Sequence, residues 1–269
     1  MESPQDTFIS HLVELRDRLL RSLIAIGVVF VILFIYPGPG AIYDLLALPM
    51  VRQLPEGTKM IATGVVSPFG TPIKVTVMAA FLVVLPYVLY QAWAFVAPGL
   101  YGHEKRLVLP LVITSTLLFL AGVAFCYFFV FGQVFKFIAA FAPKSITPAP
   151  DIEQYLSFVL TMFLAFGVTF EVPVALIVLV RMGIVSIGKL KEIRPYFIVG
   201  AFIVAAIVTP PDVVSQLALA IPMCLLYELG IVMARIFGRP AGKTDWKAPS
   251  EDEMERELDR AETNTKNPE

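Results

Sequence analysis

Apolar positions in this chain neither alternate nor mark one side of a helix; they run on for most of a bilayer's thickness and stop at short polar turns. Six such runs can be drawn, at about residues 20–37, 73–97, 107–131, 155–180, 195–209 and 213–235. Runs of this kind predict membrane-spanning helices. The interruptions coincide with breakers: Pro37, Gly38, Pro39 and Gly40 after the first run, Pro98 and Gly99 after the second, Pro210 and Pro211 between the last two. Proline lacks an N–H and clashes with the preceding turn, so a helix does not readily pass these points. The expected fold is all-α, a polytopic membrane protein with six transmembrane helices, the last two short. Pro195–Thr209 would rise about 22 Å against a hydrocarbon core of about 30 Å. Such a span thins the bilayer, borrows flanking residues or shelters behind longer neighbours.

Two segments depart from this pattern. Before the first run, Phe8, Leu12, Leu15 and Leu19 recur at helical spacing beside Glu14, Arg16, Asp17 and Arg18, predicting an amphipathic helix over 6–20 at the membrane surface. The proline-rich stretch 38–72 holds Leu45, Leu46, Leu48 and Leu54, which suggests an ordered cap against the bundle. Residues 1–237 thus form a membrane domain, and 238–269, dominated by charge, read as a mobile or solvated tail.

Composition sharpens the class. The chain is 57% hydrophobic and 16% charged, where a soluble domain carries about a quarter charged residues. A net charge of −1 gives no basic field for nucleic acid. Cys126 and Cys224 sit inside apolar runs without metal or disulfide spacing. Glu14 and Asp17 precede the first run and no small-residue cleavage site follows it, so a removable signal peptide is not expected. Lys and Arg gather in alternate loops: Arg16, Arg18 and Arg21; Lys105 and Arg106; Arg181, Lys189, Lys191 and Arg194; Arg235, Arg239 and Lys243. By the positive-inside rule both termini are cytoplasmic.

Candidate chemistry is sparse. In Pro86–Arg106 the aromatics Tyr90, Trp93, Phe95 and Tyr101 mark a membrane–water interface, and Glu104 stands just past it among His103, Lys105 and Arg106. Composition alone makes Glu104 a solvated charge; placed at a membrane exit, it is also able to accept a bidentate guanidinium. Glu14 is expected on the same side. Glu171, ten residues before Arg181, lies about 15 Å deep. An acid at that depth is costly and marks a docking point or proton site, or a protonated group bonded within the bundle. Pro173 beside it leaves the helix bendable. Asp212 suits the N-cap of the last span, with Gln216 one turn on, and Glu228 is placed to snorkel. GRPAGKT (238–244) has three residues between its glycines where a phosphate loop needs four. No hydrolase, metal or cofactor constellation assembles, so no enzyme is expected.

Four segments taken together, FISHLVELRDRL (8–19), LPYVLYQAWAFVAPGLYGHEKR (85–106), FGVTFEVPV (166–174) and TPPDVVSQ (209–216), resemble the signature segments of the TatC family, the twin-arginine translocase receptors. The resemblance covers about residues 6–237 and implies a glove-shaped membrane protein of six helices. It implies binding of twin-arginine signal peptides of folded cargo at the cytoplasmic face of a bacterial inner membrane. Assembly with the single-span partners TatA and TatB, in a complex with several copies of the chain, follows, as does export driven by the proton-motive force. Glu104 matches the main arginine-binding acid, with Phe95 and Tyr101 near it and Glu14 with Arg16 contributing from the amino-terminal segment. Glu171 matches a polar residue contacting partner helices, and Pro49, Asp212 and Gln216 match positions tied to function or partner contact. The competing reading is a proton-coupled small-molecule transporter using Glu171, which would call for a repeat between halves and broken helices at the midplane.

Overall fold

The computed structural model describes residues 4–51, 60–96, 108–141, 149–209 and 212–237. Within them lie α1 (Pro4–Ile35), α2 (Pro39–Val51), α3 (Ser67–Val96), α4 (Val108–Phe125), a π turn (Cys126–Val130), α5 (Phe131–Phe141), α6 (Ile152–Phe170), α7 (Val172–Arg181), α8 (Ile187–Val208) and α9 (Val213–Phe237). Described secondary structure is helical apart from one bridge, Ile61 with Asp151. The charged tail from residue 238 lies outside the described residues.

Five stretches are long and apolar enough to cross a membrane: His11–Ile35, Ser67–Val96, Val108–Ile138, Ile152–Arg181 and Val213–Phe237. Helix α8 is the sixth, and its first half carries Lys189, Lys191, Glu192 and Arg194, so its apolar part is short. The expected shortness of the last two spans is therefore found in α8 but not in α9, which runs 25 residues. Pro222 stands inside α9 without ending it, and the late acid Glu228 is paired with Arg194 at 2.7 Å.

Other boundaries also shift. Helix α1 is a single rod of 32 residues, where an interfacial helix followed by a span was expected. No proline interrupts Leu12–Ile35, so backbone hydrogen bonding carries through the polar part into the apolar part. The third span continues through the π turn to Phe141. The apolar stretch after the first span is helical as α2, and its carbonyls Leu45 O and Leu46 O accept from the Tyr127 and Tyr155 hydroxyls at 3.0 Å each.

The helices form an open row. Helix α1 packs on α3, α3 on α4 and α6, α4 on α6, α7 on α9, and α8 on α9, which is the glove-like order expected. Rings of α5 pack on α6 in the core, among them Phe131 on Phe163 at 5.5 Å and Phe135 on Tyr155 at 5.6 Å. Lipid is as apolar as these rings, so their attraction is close packing rather than water exclusion. Small residues permit that closeness. A Cβ on Gly122 would lie 2.6 Å from the Phe166 carbonyl oxygen, and one on Gly167 would overlap the Phe119 ring. At Gly230, a Cβ would lie 2.9 Å from Pro173 Cα, so α9 abuts the break between α6 and α7.

At the α2 end of the row, residues 60–67 are tied to the start of α6. Ile61 N–H donates to Pro150 O and Ile152 N–H to Ile61 O, at 3.0 and 2.9 Å. Asp151 caps α6 through Glu153 and Gln154 N–H and accepts from the Thr63 hydroxyl and N–H at 2.6 and 2.9 Å. Lys74 and Ser67 reach from α3 to Glu153.

Two expected outcomes follow from this packing. Gly230→Val forces a side chain against the Pro173 backbone and should destabilise the protein by about 1–3 kcal/mol. Gly200→Ala, with nothing within 4 Å of its added Cβ, should be neutral or stabilising by up to about 1 kcal/mol; thermal unfolding in detergent checks both. The Thr63 hydroxyl, with the amides of Gln154 and Thr63, lowers the Asp151 pKa to about 2. The stabilisation is complete above the ordinary carboxylate value near 4 and is lost as pH falls through about 2. Exchange of the Thr63 amide should accelerate over that window, and Asp151→Asn should show faster exchange already at neutral pH.

Candidate functional site

The N-terminal half of α1 runs antiparallel to the C-terminal end of α3. The Glu14–Arg18 spacing of one turn lets the guanidinium lie over the carboxylate, and Arg18 donates twice to Glu14 Oε1, at 2.6 and 2.9 Å. Arg18 also donates to Gln91 Oε1 of α3 at 3.2 Å, and Gln91 is only 5% exposed. One turn up, the His11 ring meets Phe95, with centroids 5.5 Å apart. Arg16 instead turns away, pairing with Asp17 at 2.8 Å on the exposed side.

Glu14 is thereby half used. Both Arg18 bonds fall on Oε1, while the described neighbour of Oε2 is His11 Nδ1 at 3.8 Å, beyond hydrogen-bond length. An ionised carboxylate offers about four lone-pair positions, so Oε2 keeps capacity for another donor. Glu104 and Tyr101, predicted at this same end, lie outside the described residues. Of the predicted cluster, the structure brings Glu14 and Phe95 to one end, while Arg16 points elsewhere. Arg18 and Gln91 were missed as a pair; the Glu–x–x–x–Arg spacing signalled the first contact, and nothing local signalled Gln91.

A second polar locus lies deep in the row. Glu171 stands between α6 and α7, its N–H on Val168 O at 3.1 Å and its carbonyl accepting from Ala175 N–H at 2.9 Å. The break is where Pro173 was expected to loosen the helix. Both Glu171 carboxyl oxygens are buried, and neither completes a hydrogen bond among the described residues. Trp93, read from sequence as an interfacial aromatic, donates its indole N–H to Ser115 Oγ at 2.9 Å.

The remaining predicted residues are structural in their visible contacts. Asp212 caps α9, its Oδ1 accepting from Ser215 N–H at 2.7 Å, while Oδ2 is buried without a described partner. Gln216 ties α9 to α8 through Phe202 O at 3.3 Å. Pro49 lies in α2, with its side chain outside the described set. No cluster of His, Cys, Asp or Glu suited to a metal is found among the described residues.

Apolar helices in an open row, with one carboxyl buried at a helix break and a charged, aromatic-flanked end, define a multi-pass helical membrane protein. Its likeness to known proteins is specific. Residues 10–222 match the family model "Sec-independent protein translocase protein (TatC)". The chain is 52% identical over 229 residues to a Haemophilus influenzae protein of that name, covering 85% of this chain and 89% of that one. It is 51% identical over 237 residues to the Escherichia coli K12 protein of the same name, covering 87% and 91%. A solved structure described as the twin-arginine translocase receptor TatC superposes with a TM-score of 0.75 at 38% identity, over 85% of this chain and all of that one. The chain belongs to the TatC family of Sec-independent protein translocase proteins.

The α1–α3 contact should respond to substitution as a coupled pair. Arg18→Ala leaves the buried Gln91 acceptor without its donor, a loss of about 1–3 kcal/mol. Adding Gln91→Leu removes the unmet group, so the double variant should recover part of that loss. A double-mutant cycle of thermal unfolding measures this, and strict additivity would count against the contact.

Proposed function

We propose that this chain is the receptor that binds twin-arginine signal peptides of folded proteins at the end where α1 begins and α3 finishes. In this reading that end is cytoplasmic, as are both termini, and the protein sits in a bacterial inner membrane. The observation that carries the reading is Glu14 Oε2, left with acceptor capacity one turn from the His11–Phe95 contact. Two guanidiniums call for two acids at one surface. Glu14 is one, and Glu104, eight residues past the end of α3, is assigned as the other. Arg–carboxylate pairs of this kind are bidentate and charge-assisted, which is why lysine does not substitute evenly. Phe95 and Tyr101 supply apolar surface for the residues beside the arginines, and Arg16, paired with Asp17, contributes from the exposed side of α1. The family relationship supports the assignment, since the solved relative is described as a twin-arginine translocase receptor.

Glu171 takes a second role. Its buried oxygens lack described partners, and in hydrocarbon an unpaired polar group is costly. A polar side chain on a TatA-like or TatB-like single-span helix would relieve that cost and so be recruited to the break between α6 and α7. Pro49, Asp212 and Gln216 are assigned to the same partner-facing functions, with further copies of the chain in the receptor complex and the proton-motive force driving export.

A photoreactive residue at position 104 should cross-link to a twin-arginine precursor and lose the adduct when both arginines are lysines. Glu14→Gln should weaken binding of the arginine form by about tenfold or more, the equivalent of one charge-assisted hydrogen bond. An adduct that survives in the twin-lysine control would sink the arginine assignment.

A further inference from the structure

Charge at the α1 end does not by itself favour a cation. Residues 14–21 carry Glu14 and Asp17 against Arg16, Arg18 and Arg21, so positive charge is in excess there. Helical spacing puts Glu14, Asp17, Arg18 and Arg21 on one face, where with Val13 they line a pocket of about 380 Å³. Arg16 pairs with Asp17 and Arg18 with Glu14, while the exposed Arg21 has no partner among the described residues.

The two ion pairs share a pattern. Arg16 Nε and Nη2 both donate to Asp17 Oδ1, at 3.0 and 2.8 Å. Arg18 Nε and Nη2 both donate to Glu14 Oε1, at 2.9 and 2.6 Å. One edge of a guanidinium thus places two N–H groups on a single carboxylate oxygen. Glu14 Oε2 is an oxygen of the same kind, with no hydrogen bond among the described residues. An incoming guanidinium meets it with two coplanar donors. The donors of an ammonium diverge from one nitrogen, so lysine brings a single N–H to that oxygen.

A bare carboxylate would separate these ligands poorly, because attraction between unit charges depends on distance and not on the shape of the donor. Arg18 removes that shared attraction. It is held from two sides, by Glu14 and by Gln91 Oε1 at 3.2 Å, so its charge stays beside the acid. At longer range the Glu14–Arg18 pair is neutral, and Arg21 adds a positive charge to the same pocket. What survives at Oε2 is short-range and directional.

We propose that Arg18, supported by Arg21, is a specificity-determining residue. By cancelling the charge of Glu14 it makes this acid select a guanidinium for its paired N–H groups and disregard positive charge as such. The assignment rests on the receptor reading above and adds to it the means by which arginine is told from lysine.

Labelled twin-arginine and twin-lysine signal peptides are titrated by anisotropy onto the purified full chain, at low and at physiological ionic strength. The unaltered protein should prefer the arginine form by about tenfold or more. Arg18→Gln retains an amide donor for Gln91 and uncovers the Glu14 charge. It should bind the twin-lysine peptide about tenfold more tightly, narrow the preference, and lose that gain as salt screens the uncovered carboxylate. Arg18→Lys restores the charge and should restore the preference; a packing role alone would leave it like Arg18→Gln. Arg21→Gln, which breaks no described contact, should shift the lysine peptide in the same direction, and it decides the question if Arg18→Gln does not fold. Twin-arginine binding with a preference that neither Gln variant moves, or with both peptides weakened equally, overturns the selector and spares the receptor. An Arg18→Lys protein indistinguishable from Arg18→Gln also overturns the selector. Absence of twin-arginine binding to the unaltered protein overturns both.

Discussion

Hydrocarbon offers no water to a polar group, and this one constraint orders the molecule. Each hydroxyl, amide or charge carried into the row of helices must find its partner in the protein. Thr76, Thr114, Thr116, Thr161 and Thr209 do so on their own helices, donating four residues back. Gln216 reaches Phe202 O, Gln91 receives Arg18, and Arg194 meets Glu228. Single atoms of Thr71, Arg194, Asp212 and Ser215 are buried without a partner among the described residues, whereas Glu171 has both its carboxyl oxygens in that condition. In the proposed reading, a polar helix from outside the row would pair with it.

Close packing makes such an acid possible to hold. Since lipid competes equally for apolar surface, helices associate where their backbones approach most closely. Gly122 and Gly167 bring α4 onto α6, each accepting a phenylalanine from the other helix, and Gly230 brings α9 onto Pro173. The last of these sits beside the break that carries Glu171. The proline that frees the backbone there is thus braced by a neighbour, so the bend has a fixed direction and the carboxyl a fixed place.

Much of this was legible in the residues. Hydropathy located the spans, proline and glycine marked most of their ends, and Pro173 beside Glu171 foretold the break. What was not legible depends on contacts between distant segments. The unbroken α1 was hidden because a polar half and an apolar half look like two elements, although no proline separates them from Leu12 onward. The last span was drawn at 213–235 with Glu228 placed to snorkel; α9 ends two residues later, at Phe237, and Glu228 pairs with Arg194 of α8. Trp93 has the look of an interfacial ring, and only the arrangement of α3 against α4 reveals that Ser115 takes its N–H, 22 residues away. At the α1 end the Glu14–Arg18 spacing was visible, yet it was Arg16 that the family pattern brought forward, and the structure gives that residue to Asp17.

Contacts to α1 and to α4 are joined by the geometry of one helix. Residues 91, 93 and 95 alternate around α3, so Gln91 and Phe95 meet α1 while Trp93 meets α4. A helix is stiff along its axis, and its hydrogen bonds do not let one face of a turn move while the opposite face stays still. Binding energy gained against the α1 face is therefore shared with whatever the α4 face holds, to the extent that the bound and free positions of the turn differ. What one turn of α3 therefore couples directly is the Arg18–Gln91 and His11–Phe95 contacts on one side and the Trp93–Ser115 bond on the other.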